Sequence, residues 1–358
     1  MRVLFAYTTR PDVYDAYVHR VMSLKSGLEG CGVQTASLYL GYLPFRQPFL
    51  LAPINIPVVR RFLEGFDFIH AGHTGAAYLM GLARLTRRTG ARIIYDVHAD
   101  PAQEQRPGSR GVLGLKHRFN GLQDIAMEKL AAMRADYFAV CSESFRDRYL
   151  SLGVRGEQID VVPDGANIEI FKPRSSPEND VFTITCAGQS LNSQGIDQLL
   201  EAARLLKDER VRFRVIGLDA TARKSPEGQC VNVELTDLMP LTALVDHLGS
   251  ADGLAIPGAR HRAPGAFPGK FAEYIACGVP VIVTGTGDEG RLTRRHQCGL
   301  VCEDSAASLA DAVLKLKSYS PEERKEMGEN GRRLAEDLLD YRKISRNYYQ
   351  FLKDASGN

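Results

Sequence analysis

The feature that most limits how this chain can fold is a repeated alternation. Short apolar runs are followed by a turn and then by longer stretches with apolar residues three and four apart. Residues 2–7 (RVLFAY) form the first run, and Tyr17, Val21, Leu24 and Leu28 follow at helical spacing until Gly30 and Gly32. Further runs fall at 34–40, 67–70, 92–95, 137–141 and 159–162, then at 181–186, 211–216, 231–235, 253–256 and 281–283. Between them, Leu79, Leu82 and Leu85 share one helical face, as do Ile196, Leu199, Leu200, Ala203 and Leu206. Strands alternating with helices imply parallel sheets covered on both faces, an α/β architecture. Ligands of such sheets sit beyond the carboxyl ends of the strands, here the loops after Tyr7, His70, Tyr95 and Cys141.

A chain of 358 residues exceeds what one core of ordinary size uses, so two domains are expected. The polar, proline-rich segment 173–180 (PRSSPEND) is the natural linker between a domain over 1–172 and a second over 181–339. Residues 340–358 form a last helix. With 44% apolar and 25% charged residues the composition is that of a globular protein, and no apolar run approaches the ~20 residues of a membrane span. The first residues, MRVLFAYTT, go directly into a strand and carry no cleavage pattern of a signal peptide. Seven scattered cysteines, an odd number, fit reduced thiols in the cytoplasm. A net charge of +2 gives no reason to expect nucleic acid as a partner.

Segment 267–283 (FPGKFAEYIACGVPVIV) carries the densest signal. Phe271, Ala272, Ile275 and Ala276 have helical spacing, Gly278 stops the helix, Pro280 cannot continue it, and Val281 to Val283 read as a buried strand. The helix start offers backbone N–H groups to an anion around Phe267 and Gly269, with Lys270 adding positive charge. Glu273, about one turn in, can accept two hydroxyl hydrogen bonds from a ribose. An amphipathic helix with a solvated lysine and glutamate is the plain alternative. A second glycine turn, Gly188 to Gly195, links a strand to a helix, the geometry that sets backbone N–H groups against a diphosphate. In the first half, His98 follows a buried strand, with Asp96 or Asp100 as its orienting partner; it otherwise caps the next segment. His70 and His73 (HAGH) read as loop residues, two ligands being too few for a metal.

Glu273, Tyr274, Ala276, Gly278, Pro280 and Val281 resemble the E-A/Y-x-A-x-G-x-P-V signature of glycosyltransferase family 4, and VPDGANIEIFKP at 162–173 resembles that family's V-P-N-G-V-D-x-x-x-F-x-P. The resemblance implies the GT-B fold: two Rossmann-like, doubly wound parallel-sheet domains facing a cleft, the last helix crossing back to the first domain. It implies a glycosyltransferase that takes a UDP- or GDP-linked sugar and acts with retention, without metal or other cofactor. The acceptor is a glycan, a lipid-linked molecule or a small molecule, as in polysaccharide biosynthesis. Glu273 takes the position that holds the donor ribose, and His98 the position that meets the transferred sugar.

The chain departs from the family at several positions. Gln189 and Gln194 replace the usual arginine and lysine of the diphosphate loop, Gly265 stands where a first glutamate is usual, and Asp164 takes the asparagine position. Two charged hydrogen bonds are thereby lost, each worth about 1.5–3 kcal/mol against about 1 for a neutral one. Lys270 is the expected replacement, ahead of Arg260 and Arg262. A catalytically degenerate relative that binds a nucleotide or glycan and works through a partner is the alternative these changes raise. Segments 42–51 and 106–122, apolar with interspersed arginine and lysine, suit a lipid-linked acceptor or peripheral contact with the inner face of a membrane; as ordinary loops they need no such role.

Overall fold

A computed structural model of the chain describes residues 1–8, 16–42, 52–86, 90–98, 112–174, 180–188, 195–218, 230–258, 265–285 and 287–357. The residues group into two units: Met1–Asp164 with Ala263–Ala266 and Tyr341–Asn358, and Gly165–Arg262 with Phe267–Asp340.

In the first unit the apolar runs become β1 (Arg2–Tyr7), β2 (Gln34–Tyr39), β3 (Phe68–Gly72), β4 (Arg92–Val97), β5 (Tyr137–Val140) and β6 (Ile159–Val161). They are joined by α1 (Ala16–Gly30), α2 (Ile56–Val59), α3 (His73–Thr86), α4 (Val112–Arg134) and α5 (Glu143–Ser151). All pairings are parallel, in the order β2-β1-β3-β4-β5-β6. Successive connections therefore reverse direction between β1 and β3. Val3, Phe5 and Tyr7 pack against Tyr17, Val21, Leu24 and Leu28 of α1. The last helix, α12 (Tyr341–Gly357), adds Tyr341, Ile344, Tyr348 and Leu352 to that same core.

The second unit contains β7 (Phe182–Ala187), β8 (Val211–Ile216), β9 (Val233–Thr236), β10 (Gly253–Ile256), β11 (Val281–Thr284) and β12 (Gly299–Cys302). Its helices are α6 (Ile196–Leu205), α7 (Leu241–Gly249), α8 (Gly269–Ala276), α9 (Asp288–His296), α10 (Ala306–Ser318) and α11 (Pro321–Leu338). The parallel order β12-β11-β10-β7-β8-β9 reverses between β7 and β10, the topological switch point at which doubly wound sheets take ligands. The start of α11 is fixed locally: Pro321 occupies the first turn, Ser320 Oγ accepts from the Glu323 N–H at 3.2 Å, and Glu323 Oε2 accepts from the Ser320 N–H at 2.7 Å.

One expectation changes. Residues 112–122, read as part of a loop, are the first turns of α4. Gly114, Gly121 and the interspersed charges hide the helical period there, although the helix they open packs as a whole against α3. Residues 299–302, which follow the last apolar run singled out in the sequence, form the edge strand β12, paired along its length with β11. Segments 43–51 and 99–111 lie outside the described residues. Among the described residues no helix is long and apolar enough to cross a membrane.

Candidate active site

In the second unit, α8 grips the carboxyl end of β7. Lys270 and Tyr274 lie four apart, on one helix face, and both reach Ala187, the last residue of the strand. The Lys270 ammonium donates to the Ala187 carbonyl at 2.9 Å, and the Ala187 N–H donates to the Tyr274 hydroxyl at 2.6 Å. Tyr274 is fully buried, and that burial holds its phenol well above the ordinary range, so it stays neutral. The clamp sets a positive charge at the switch point, next to Gly188. Pro268 precedes α8 without a side-chain cap, so the first-turn N–H groups at Gly269 and Lys270 have no partner within the helix ladder. Phe267 is buried and packs edge-on against Phe271, fixing the approach to the helix.

Across the switch point, Gly195 opens α6 at φ +69, and a Cβ there would collide with the Gly258 carbonyl after β10. Gln198 Nε2 donates to Asp304 Oδ1 at 2.9 Å and to the Gly258 carbonyl at 3.4 Å, joining α6 to the loops after β10 and β12. Gly188 does not keep its expected role: its N–H is spent on the Ile216 carbonyl at 2.9 Å, as a continuation of the sheet. Glu273 lies partly exposed on α8, one turn beyond Gly269. Together with burial, its charge helps push the Cys277 thiol up to about 12. All seven cysteines are unpaired.

The first unit holds a buried polar chain at the carboxyl ends of its central strands. Arg20 of α1, with no solvent exposure, donates from Nη2 to Asp96 Oδ1 at 3.0 Å and from Nη1 to Asp164 Oδ1 at 3.3 Å. Asp96 Oδ2 meets His70 Nε2 at 3.1 Å, and His70 Nδ1 meets the Tyr348 hydroxyl of α12 at 2.7 Å. Asp164 Oδ2 meets His98 Nε2 at 2.9 Å. Although burial opposes ionisation of Asp96, Arg20 and His70 hold its carboxyl far below the ordinary range. The Asp164 carboxyl is likewise held low by His98 and Arg20.

Several sequence expectations are corrected by this chain of contacts. The partner of His98 is Asp164, not Asp96, and Asp100 lies outside the described residues. Asp96 has no exposure and serves Arg20 and His70, so it is a counter-ion within the scaffold and not a group facing substrate. His70 is a buried residue of β3 rather than a loop residue. His73 does begin the segment after that strand, at φ 65, with its ring 3.9 Å from that of Tyr17. Gly265, where a first glutamate is usual, has φ +95, and Ser142 Oγ donates to its carbonyl at 2.6 Å; a glutamate there would be strained as well as redirected. Gln189, Gln194 and Arg260 lie outside the described residues. Among the described residues no three His, Cys, Asp or Glu side chains converge as a metal site requires.

Residues 181–318 match the family described as "Glycosyl transferases group 1" and residues 3–165 that described as "Glycosyl transferase 4-like domain", so between them they span most of the chain. An MMP alpha-(1->4)-mannosyltransferase of Mycolicibacterium hassiacum is 23% identical over 292 residues, 78% of this chain and 68% of that protein. The structure of sucrose-phosphate synthase from Thermosynechococcus elongatus is similar at a TM-score of 0.81 and 16% identity, covering 99% of this chain and 98% of that one. Anabaena HepE, solved with UDP and glucose, gives 0.71 at 17% identity, covering 99% and 100%. With two doubly wound parallel sheets, a switch-point clamp and these matches, the chain belongs to the family 4-type glycosyltransferases of the GT-B fold and is a sugar-transferring enzyme.

Proposed function

We propose that the second unit binds a hexose linked to UDP or GDP, and that the enzyme transfers it with retention, without a metal ion, to a glycan, lipid-linked or small-molecule acceptor bound by the first unit. The observation that carries this reading is the Lys270–Ala187–Tyr274 clamp at the switch point of the second sheet. A diphosphate leaving group gains negative charge as the sugar departs. Fixed positive charge and helix N–H groups stabilise it more in the transition state than in the ground state. Lys270 and the start of α8 supply both, offsetting the charge absent at Gln189 and Gln194. Glu273 takes the ribose hydroxyls, and His98 faces the transferred sugar. The relative from M. hassiacum is named for α-linked mannose transfer and HepE was solved with UDP and glucose, which supports a hexose donor on a nucleoside diphosphate.

The test is turnover with a panel of UDP- and GDP-hexoses and mixed acceptors, with and without EDTA. The reading expects acceptor-dependent release of one nucleoside diphosphate, unaffected by EDTA, and a product whose anomeric configuration by NMR matches the donor. Activity abolished by EDTA and restored by a divalent cation, or an inverted product, contradicts it.

A further inference from the structure

His70 and His98 of the first unit both meet carboxylates, and they differ in their access to solvent. His70 is sealed in the sheet, whereas the His98 side chain retains 19% exposure. Its Nε2 is taken by Asp164 Oδ2 at 2.9 Å, which leaves Nδ1 as the ring nitrogen Asp164 does not engage. Asp164 is itself immobilised. Its second oxygen accepts from the buried Arg20 at 3.3 Å, and Arg20 is locked from its other edge by Asp96, at 3.0 and 3.3 Å. Arg20 thus divides one positive charge between two buried carboxylates; Asp164 lies within electrostatic reach of His19 and is hydrogen-bonded to the His98 ring. Family 4 places asparagine at this position. An amide can make one hydrogen bond at this distance, but it cannot stabilise an imidazolium by charge.

We propose that Asp164 is a positioning residue for sugar transfer, holding His98 as an imidazolium whose Nδ1–H is presented to the donor substrate. The proposal rests on the reading of His98 as facing the transferred sugar. The groups around the ring agree with it. Tyr17 and Arg20 come from α1, His73 from α3, Asp96 from β4, Cys141 from the end of β5 and Asp164 from the loop after β6. Burial and Arg20 favour the neutral ring, while Asp164, with a contribution from Asp96, outweighs them and raises the His98 pKa above its ordinary 6.5. The active form is the protonated one, so turnover holds below the folded-state pKa and falls as pH rises through it.

The imidazole ¹H–¹⁵N signals of the full chain, titrated by NMR, test the pairing without a substrate, His98 being assigned by its loss in His98→Gln. The wild-type midpoint is expected above 6.5, and in Asp164→Asn lower by about 1–3 pH units, the effect of one close opposite charge. A wild-type midpoint at or below 6.5, or one unmoved in Asp164→Asn, overturns the proposal; the first result does not depend on Asp164→Asn folding. With whichever nucleotide-hexose the turnover panel selects, the alkaline limb of kcat/KM is expected to move by the same amount in Asp164→Asn. A limb that stays in place while the NMR midpoint moves also overturns it. If instead His98→Gln retains full turnover, the failure lies with His98 facing the sugar, and the proposal falls with that reading while the pairing measured by NMR stands.

Discussion

Asp160, on the short strand β6, has its carboxyl raised to about 6 because burial outweighs its backbone hydrogen bond and the pull of Arg20. The sign follows from proton affinity. The folded state binds this proton more tightly than the unfolded chain does, so this one group's contribution to stability is greatest at low pH and declines as pH climbs from about 4 to about 6. Above that range the buried charge costs about 3 kcal/mol. Asp160→Asn is therefore expected to stabilise the chain by up to that amount at pH 8 and by nothing below pH 4, as measured by urea unfolding at the two pH values. Equal stability at pH 8 would show that the carboxylate is solvated after all. Arg20 teaches a related lesson about what a sequence displays. It lies three residues after Tyr17 and four before Leu24, on the buried face of α1, and an arginine at such a position signals a buried ion cluster. Its partners cannot be read the same way, because Asp96 and Asp164 stand 76 and 144 residues away.

Among the elements, α8 does most to shape the donor side, and α11 holds it in place. Arg332 of α11 donates to the carbonyls of Ile168, Phe171 and Ala276, the last of these at the end of α8. Gly328 sits so close that a Cβ would collide with the Gly278 carbonyl just past the end of α8. Gly328→Ala must therefore displace one helix from the other. A destabilisation of about 1–3 kcal/mol is expected, as for overpacking of a filled core, with weaker nucleotide binding because the Ala187 clamp shifts with α8. Unchanged affinity and melting temperature would contradict this packing account. The elements themselves were largely legible, since short β-branched and apolar runs between glycines leave few alternatives to buried strands. The beginning of α4 was not, because Gly114, Gly121 and the charges between them hide its helical period. Gly188 shows a finer limit: a glycine turn can be recognised from sequence, but not which of its N–H groups the sheet has already used.

For the molecule as a whole, each unit reverses its strand order once, between β1 and β3 in the first and between β7 and β10 in the second; Lys270 lies at the second reversal, whereas His98 follows β4, one strand beyond the first. The first unit is completed by the far end of the chain, since α12 supplies Tyr348 both to the apolar core and to His70. The proposed donor site could be named as Lys270 and Glu273 from sequence because a helix start, a cation and a carboxylate stand within a few residues of one another. The Arg20–Asp164–His98 chain could not, since it exists only once three strands and a helix have assembled. The central claim, that the second unit holds a nucleoside diphosphate through α8, is tested most directly by calorimetric titration of the wild-type chain and Glu273→Ala with UDP and GDP. Loss of charge-assisted hydrogen bonds to the ribose is worth about 1.5–3 kcal/mol, or about tenfold to a hundredfold in affinity. The account predicts binding of one of the two diphosphates, weakened by that factor in Glu273→Ala; no binding of either, or equal affinity in the variant, would contradict it.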